Sequence, residues 1–406
     1  MRAWLFEQLK ALQKKGLWYW VRAVIIVSVG VWVGDSLSES SLWLNKRRLA
    51  YRWLVTRNPR KTEARRVRII LIQDDEYWLG ELAGRKPIHR DYLAKLIRAT
   101  ADFGPSLIAL DFDLRSPSPD GHPIEHPAYE QETKQLCDTV RDTAKEKCPI
   151  VLPKTLGSWQ GGGYTTDSDI YNNYDFGDVS VSSGYISLPY DERLVPATPL
   201  LLKGGGTLDS FARAIVKVID PDALKRLESK SLNLPYSDFI DPDAFKCISA
   251  HDVLLNPASV RAQIRNWPVI IGAHWHSGAV NRKEFIDLHA SPNGAMPGVI
   301  LHANYVEAIL DSRLYPGWPP FVTHLIEGLG AMLVALAFAL ETRSVVKALA
   351  VMMVGLFLVG LSLIALLFFG IIFDFFVPAV CALGHGLLEQ TLEWRDAALA
   401  NRHSRL

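Results

Sequence analysis

The chain has 406 residues, with 44 Lys and Arg against 43 Asp and Glu and a formal net charge of +1. That balance excludes a nucleic-acid partner held by a global basic field, and no basic stripe with interleaved aromatics supplies a local one. The four cysteines, Cys137, Cys148, Cys247 and Cys381, form no Cys-x-x-Cys pair, which excludes a zinc ribbon or a dithiol redox motif.

Residues 1–16 form a basic tail carrying Arg2, Lys10, Lys14 and Lys15. Residues 17–34 are an apolar run broken by Arg22, which lies near enough to its start to snorkel back to lipid headgroups. Trp18, Tyr19 and Trp20 make an aromatic collar there. A retained membrane anchor is the expectation, because Trp32 and Val33 end the run poorly for a peptidase. Ser36 and Ser38 keep a cleaved signal peptide open as the alternative.

Residues 36–56 read as an amphipathic helix with Leu37, Leu44, Leu49 and Trp53 at roughly helical spacing, ended by Asn58-Pro59. The run 67–73 suits a buried parallel strand. A helix is expected over 91–103, closed by Gly104-Pro105, then a strand over 106–110, a helix over 128–146 and a strand over 150–152. Strand and helix alternating in this way is the pattern of a parallel sheet with right-handed crossovers. Residues 155–206 are rich in Gly, Ser, Tyr and Asp, which predicts loops and short antiparallel pieces, one of them at 184–188. The α/β pattern resumes with a helix over 207–218, a strand over 269–272 and a helix over 299–310.

The C-terminal part is apolar. Residues 321–340 form one run, with His324 and Glu327 near its start. Residues 348–388 hold a single acid, Asp374, and no Lys or Arg. That stretch makes roughly 60 Å of helix, about twice a bilayer core. The expected spans are therefore 17–34, 321–340, 347–368 and 371–388, around an outer domain at 35–320. A buried helical core in a soluble protein is the alternative. Four spans put both ends, including the tail 389–406, in the cytoplasm. Arg343, Lys347, Arg395, Arg402 and Arg405 then fall on the inner side, where positive residues concentrate.

In this order the pieces resemble the CHASE2 family of bacterial extracytoplasmic sensor domains. The resemblance rests on ILIQDDEYW at 70–78, PIHRDYLAKLI at 87–97, IALDFDL at 108–114, CISAHDVL at 247–254, WPVIIGAHW at 267–275 and MPGVILHANYVEAIL at 296–310. It implies one N-terminal span, a large outer α/β domain, three closely spaced C-terminal spans and a place in the bacterial inner membrane. It also implies sensing, with output through a cytoplasmic module. Here only 389–406 lies beyond the last expected span, so output is expected through a separate partner or another copy of the chain.

In an open parallel sheet ligands bind beyond the carboxyl ends of the strands. Asp74 and Asp75 end the first expected strand, Asp111 and Asp113 the second, and His274 and His276 come after the strand at 269–272. Asp287, His289, His302 and Asn304 stand in the adjacent matching segments. The candidate ligand residues are Asp75, Asp111, Asp113, His274, His276, Asp287, His302 and Asn304. Such carboxylates and imidazoles suit a small ligand, a divalent metal or acid–base work. Strand-end Asp residues also cap helices, and His302 also reads as a satisfied polar residue. No Ser or Cys stands in an elbow-type motif, so no catalytic residue is assigned. Gly161–Gly163 and Gly204–Gly206 lack the flanking pattern of a phosphate loop. An oxidising compartment favours a Cys137–Cys148 disulfide. A continuous helix opposes it by holding the α-carbons about 16 Å apart, and Pro149 keeps the question open. The functional expectation is a membrane-bound sensor of an unidentified small-molecule or environmental signal. A membrane-anchored metal-dependent hydrolase and a non-sensing scaffold are the alternatives.

Overall fold

The computed structural model describes residues 17–38, 66–115, 129–316 and 320–340. Short breaks fall at 168, 173, 189–193, 229–231, 238–239, 280–283 and 292–293, and isolated helical positions and short helical runs are described between 352 and 395. The chain divides into two compact units, Val55–Tyr315 and the combination of Met1–Leu54 with Pro316–Leu406.

In the first of these units six strands form one sheet: β1 (Arg68–Gln73), β2 (Leu107–Asp111), β3 (Ile150–Lys154), β6 (Val181–Tyr185), β10 (Lys246–Ser249) and β11 (Pro268–His274). Their order is β10-β1-β11-β2-β3-β6, and every pairing is parallel. The strand β9 (Leu232–Ser237) stands outside this sheet. Strands paired in parallel read as continuous apolar runs because helices cover both faces. Ile70, Ile72, Ile108, Leu110, Ile150 and Leu152 pack on one face. Helices α2 (Arg90–Ala101), α3 (Tyr129–Glu146), α6 (Ala250–Leu255) and α7 (Pro257–Ile264) cover it. Ile69, Leu71, Leu107, Ala109, Val151 and Ile270 pack on the other. That face carries α4 (Phe211–Ile219), α5 (Pro221–Glu228) and α8 (Gly298–Leu310). The connections run outward from β1 to β6, return to the far edge at β10 and come back into β11 between β1 and β2. The carboxyl ends of β1, β11 and β2 therefore lie side by side where the winding reverses, which is where such sheets bind ligands.

All thirteen residues of α8 are buried. Three of its polar side chains are each tied to a different segment. His302 Nε2 reaches Ile186 O at 3.1 Å. Asn304 Oδ1 accepts from Ile240 N at 2.7 Å, and its Nδ2 donates to Ile300 O at 3.2 Å and Ile240 O at 3.4 Å. Glu307 Oε1 accepts from Arg66 N at 2.7 Å and Val67 N at 2.9 Å, where the chain comes into β1.

Several expectations change. The piece at 184–188 is not antiparallel: β6 joins β3 in parallel as an edge of the main sheet. Gly184 allows this, because a Cβ there would stand 2.6 Å from Ser210 O and 2.7 Å from Phe211 Cα at the start of α4. The helix expected from 207 starts at Phe211 instead. Ser210 Oγ caps it by accepting from Arg213 N at 3.1 Å, while β8 (Thr207–Leu208) pairs with β7 (Leu200–Leu201). Cys137 and Cys148 are free thiols, because α3 runs unbroken through Cys137 to Glu146. Burial pushes both up to about 11. The antiparallel hairpin β4 (Leu156–Gln160) with β5 (Gly163–Thr166) bears out the irregular middle region.

In the second unit α1 (Leu17–Ser38) and α9 (Pro320–Leu340) pack together. Tyr19 Oη donates to Ala335 O at 2.7 Å, and Ala331 is wholly buried against Ile26 and Val27. Among the described residues no helix is long and apolar enough to cross a membrane. The helix expected at 36–56 lies outside the described residues beyond Ser38, as does the greater part of the runs expected at 347–368 and 371–388.

Replacing Asn304 with Ala strips a buried segment of its partners at Ile240, at roughly 1–3 kcal/mol for each group left unsatisfied. Asn304→Ala is expected to lower the midpoint of denaturant unfolding, while Asn304→Asp, which keeps the acceptor, is expected to lose less. Equal midpoints for Asn304→Ala and the unaltered chain would remove this tie from the account.

Candidate ligand site at the carboxyl edge of the sheet

Beyond Gln73 the chain turns at once into a π-helical turn, Asp75–Leu79. Buried Glu76 holds that turn in place. Its carboxylate accepts from Gln73 N at 2.7 Å, Ser249 Oγ at 2.9 Å and His251 N at 2.5 Å, so the end of β1 is tied to the start of α6. Asp74 meets His276, accepting from its backbone N at 2.9 Å and lying 2.6 Å from its Nδ1. Trp78 Nε1 donates to His276 O at 3.1 Å. The rings of His274 and His276 both lie on Phe285, at 4.4 Å and 3.8 Å between centroids. Burial holds His274 below the ordinary imidazole range; His276 adds to the shift and Asp74 opposes it.

Asp111 ends β2 level with Gly272 of β11. Burial raises its carboxyl well above the carboxylate range, and the charge of Asp287 raises it further. His302, one turn into α8, brings Nε2 to 3.7 Å from Asp111 Oδ1. A carbonyl oxygen only accepts, so the contact with Ile186 O means that Nε2 carries the proton. Burial lowers His302 to about 4, with Asp287 opposing the shift and His289 adding to it. The acid and the imidazole thus lie together, each displaced toward its uncharged form.

Asp287 has a positive φ of 55°. Its Oδ1 lies 2.7 Å from His289 Nε2. Its Oδ2 would stand 2.1 Å from a Cβ on Gly298, so the carboxylate sits against the first residue of α8 and only glycine leaves it room. A helix N-terminus favours a negative charge there. Ile286 N donates to Trp275 O at 3.0 Å, and Ser277 N to Glu284 O at 2.8 Å. The short segment Phe285-Ile286-Asp287 therefore joins the two groups, the aromatic imidazoles at its start and the buried acid pair at its end.

The structure thus brings together Asp111, Asp287 and His302, with His289 beside them, and groups His274 and His276 with Asp74. It does not bring in the others. Asp75 is exposed, and Asp74, its neighbour, makes the contact. Asp113 is half-exposed and held by Arg115 at 2.9 Å. Burial raises that carboxyl, and the Arg115 hydrogen bonds more than cancel the effect, leaving it below its usual range. Asn304 is spent on Ile240. Sequence alone passed over Glu76 as well, although it lies in the matching stretch ILIQDDEYW at 70–78.

Among the described residues, His89, Asp91 and Glu132 bring potential metal-ligand atoms within 4.8 Å of one another. None of them is among the eight candidates. Both Glu132 oxygens already take Arg85, with Nη1 at 2.8 Å, and Arg90 N donates at 3.2 Å. A fixed guanidinium occupies the place where a metal charge would go, so these side chains fit an ion-paired knot between α2 and α3 rather than a cation site.

No curated protein matches this chain, and no solved structure does. A model of the CHASE2 domain matches residues 23–340, more than three quarters of the 406 residues. With that match, and with the parallel α/β sheet that the resemblance implied, the chain belongs to the CHASE2 family of extracytoplasmic sensor domains.

Proposed function

We propose that the chain is a membrane-bound sensor. Its outer domain binds a small ligand or signal at the carboxyl edge of the sheet and passes the event to a separate cytoplasmic or membrane partner, or to another copy of the chain. The observation that carries this reading is Asp111 buried beside His302, each displaced toward its neutral form and both within the field of Asp287. Perturbed acids and imidazoles gathered at a strand switch point mark a functional site. A ligand bearing charge or hydrogen-bonding groups changes their protonation and so has a means of favouring one arrangement of the domain. Asp111, Asp287, His302, His274 and His276 are the residues proposed to meet it, with Asp74 and His289 positioning them. Binding, not catalysis, is the proposed role.

Transmission is proposed through α8, since only residues 311–319 separate its end from α9. The membrane part is proposed as four spans, at 17–34, 321–340, 347–368 and 371–388, in the bacterial inner membrane with both ends in the cytoplasm. The reading rests on the sequence, because the described helices alone do not reach spanning apolarity. It is supported by the apolar side chains that α1 and α9 leave exposed, among them Val24, Ile25, Val29, Leu325, Leu329 and Leu333. Small residues pack between the two helices at Ala331 and Ala335, as membrane helices favour.

Two measurements test this. A reporter active only outside the cytoplasm, inserted at the exposed Gly161 turn, is expected to be active, and the same reporter after Leu406 to be silent. The reverse pattern sinks the topology.

The second measurement uses pH. His302, lowered from 6.5 to about 4, contributes stability that is present above 6.5 and lost as pH falls toward 4. Asp111, raised from 3.8, contributes stability that is complete below 3.8 and lost as pH rises toward its folded value. The two oppose each other above pH 4, up to the folded value of Asp111 or 6.5, whichever is lower. Asp111→Asn is therefore expected to make the full chain gain stability with rising pH across that window. His302→Gln is expected to make it lose stability, each by up to about 1.4 kcal/mol per pH unit relative to the unaltered chain. Thermal unfolding followed by circular dichroism reads both slopes, and identical slopes in the two variants would refute the paired burial.

A further inference from the structure

One cleft lies at the amino edge of the sheet, opposite the carboxyl-edge site. It has a volume of about 390 Å³ and includes Arg66, Ile219, Asp220, Arg226, Trp267 and Leu310 in its lining. Arg66 precedes β1, Trp267 precedes β11, and Ile219 and Leu310 end α4 and α8. The volume falls in the range of small-molecule sites.

The lining has two chemical halves. Ile219, Trp267 and Leu310 give an apolar surface. The Trp267 ring is backed by the Arg68 guanidinium at 4.2 Å from its centroid. Arg66 and Arg226 stand partly in solvent, with side chains 45% and 52% exposed. Each now meets a carboxylate, Arg66 with Asp311 at 2.9 Å and Arg226 with Asp220 at 3.5 Å. Both acids have other partners. Asp311 also accepts from Arg313 Nε at 3.2 Å, and Asp220 accepts from Ala223 N at 3.1 Å at the start of α5. Solvent-exposed ion pairs contribute little, so the two arginines can turn to another anion while both acids remain satisfied. The guanidinium fork matches a carboxylate or a phosphate in two parallel hydrogen bonds.

We propose that this cleft binds an anionic amphiphile, a carboxylate or phosphate monoester carried on an apolar chain. The head group lies between Arg66 and Arg226, and the apolar chain lies on Ile219, Trp267 and Leu310. Counting the ion-pair partners as well, Arg66, Arg226 and Arg313 stand against Asp220 and Asp311, which leaves the site net positive for an anionic head group. The inference does not depend on the carboxyl-edge site. Its walls come from both ends of the outer domain's chain, since Arg66 and Leu310 flank the buried tie of Glu307 to Arg66 N and Val67 N. Occupancy there bears directly on where the chain enters and leaves the domain. The same chemistry can come from an anionic lipid or from a free amphiphile.

The test titrates the full-length chain, held in phosphatidylcholine discs, with hexyl phosphate, inorganic phosphate and hexanol by calorimetry. Hexyl phosphate is expected to bind, and the other two to bind at least about tenfold more weakly, since each lacks one half of the match. Arg226→Gln, at an exposed position, and the double variant with Arg66→Gln are expected to weaken hexyl phosphate by about tenfold or more without lowering the unfolding temperature of Arg226→Gln. Equal binding of hexyl phosphate by the unaltered chain and the double variant overturns the proposal, and so does equal binding of inorganic and hexyl phosphate. Discs containing phosphatidylglycerol separate the sources. Loss of hexyl phosphate binding there supports the site with a lipid as occupant, and retained binding supports it with a free amphiphile.

Discussion

Burial of α8 on every side is the constraint on which the rest of the outer domain depends. A helix enclosed in this way cannot leave a polar side chain unmatched without a large desolvation cost. His302, Asn304 and Glu307 meet that demand by taking partners from three segments far apart in the chain, at 186, 240 and 66–67. Those ties set where the chain comes into β1, how the loop before β10 lies, and where the chain runs on leaving β6. The helix is thus a post to which the peripheral connections are fastened, and its polar residues act on their neighbours' backbones.

The same helix spans the domain from one edge of the sheet to the other. Its first turn lies against Asp287 and carries His302 toward Asp111, while its last turn carries Glu307 and Leu310 at the amino edge. Thirteen residues of α-helix cover roughly 20 Å as a stiff element. A shift at one end is therefore not absorbed locally, because a close-packed interior transmits displacement. Gly272 reinforces this point. A Cβ there would come within 2.6 Å of Val299, so strand and helix touch with no slack at the centre of the sheet.

Electrostatics separates the two clusters at the carboxyl edge. Around Phe285 the imidazoles are half-buried, and Asp74 partly offsets the desolvation of His274. Around Asp111 desolvation dominates, and Asp287 adds a like charge that pushes the acid further toward its protonated form. The two clusters are joined by three residues of backbone, so a change in one reaches the other through Ile286 and its hydrogen bond to Trp275.

The elements legible from sequence were those whose apolar pattern is long or continuous: β1, β2, β3, β11, α2, α3 and α8 lie within a few residues of expectation. Their burial follows from composition, since runs such as RIILIQ and GVILHANYVEAIL have no other favourable environment. The convergence of strand ends was legible too, because it follows from parallel alternation alone. The part left to tertiary structure was local and polar. β10 is a four-residue edge strand, mostly exposed, and carries too little pattern to announce itself. Whether Asp74 or Asp75 faces the site is decided by the π-turn that Glu76 holds, a register that no periodicity records. Asn304 and His302 stand two residues apart in one motif. The turn of the helix sends one to a loop and the other to a buried acid. Sequence by itself determined which segments must be buried, because hydrophobic burial depends on composition and period. Only the folded chain decided what each buried polar group would meet, because that depends on which distant backbone arrives beside it.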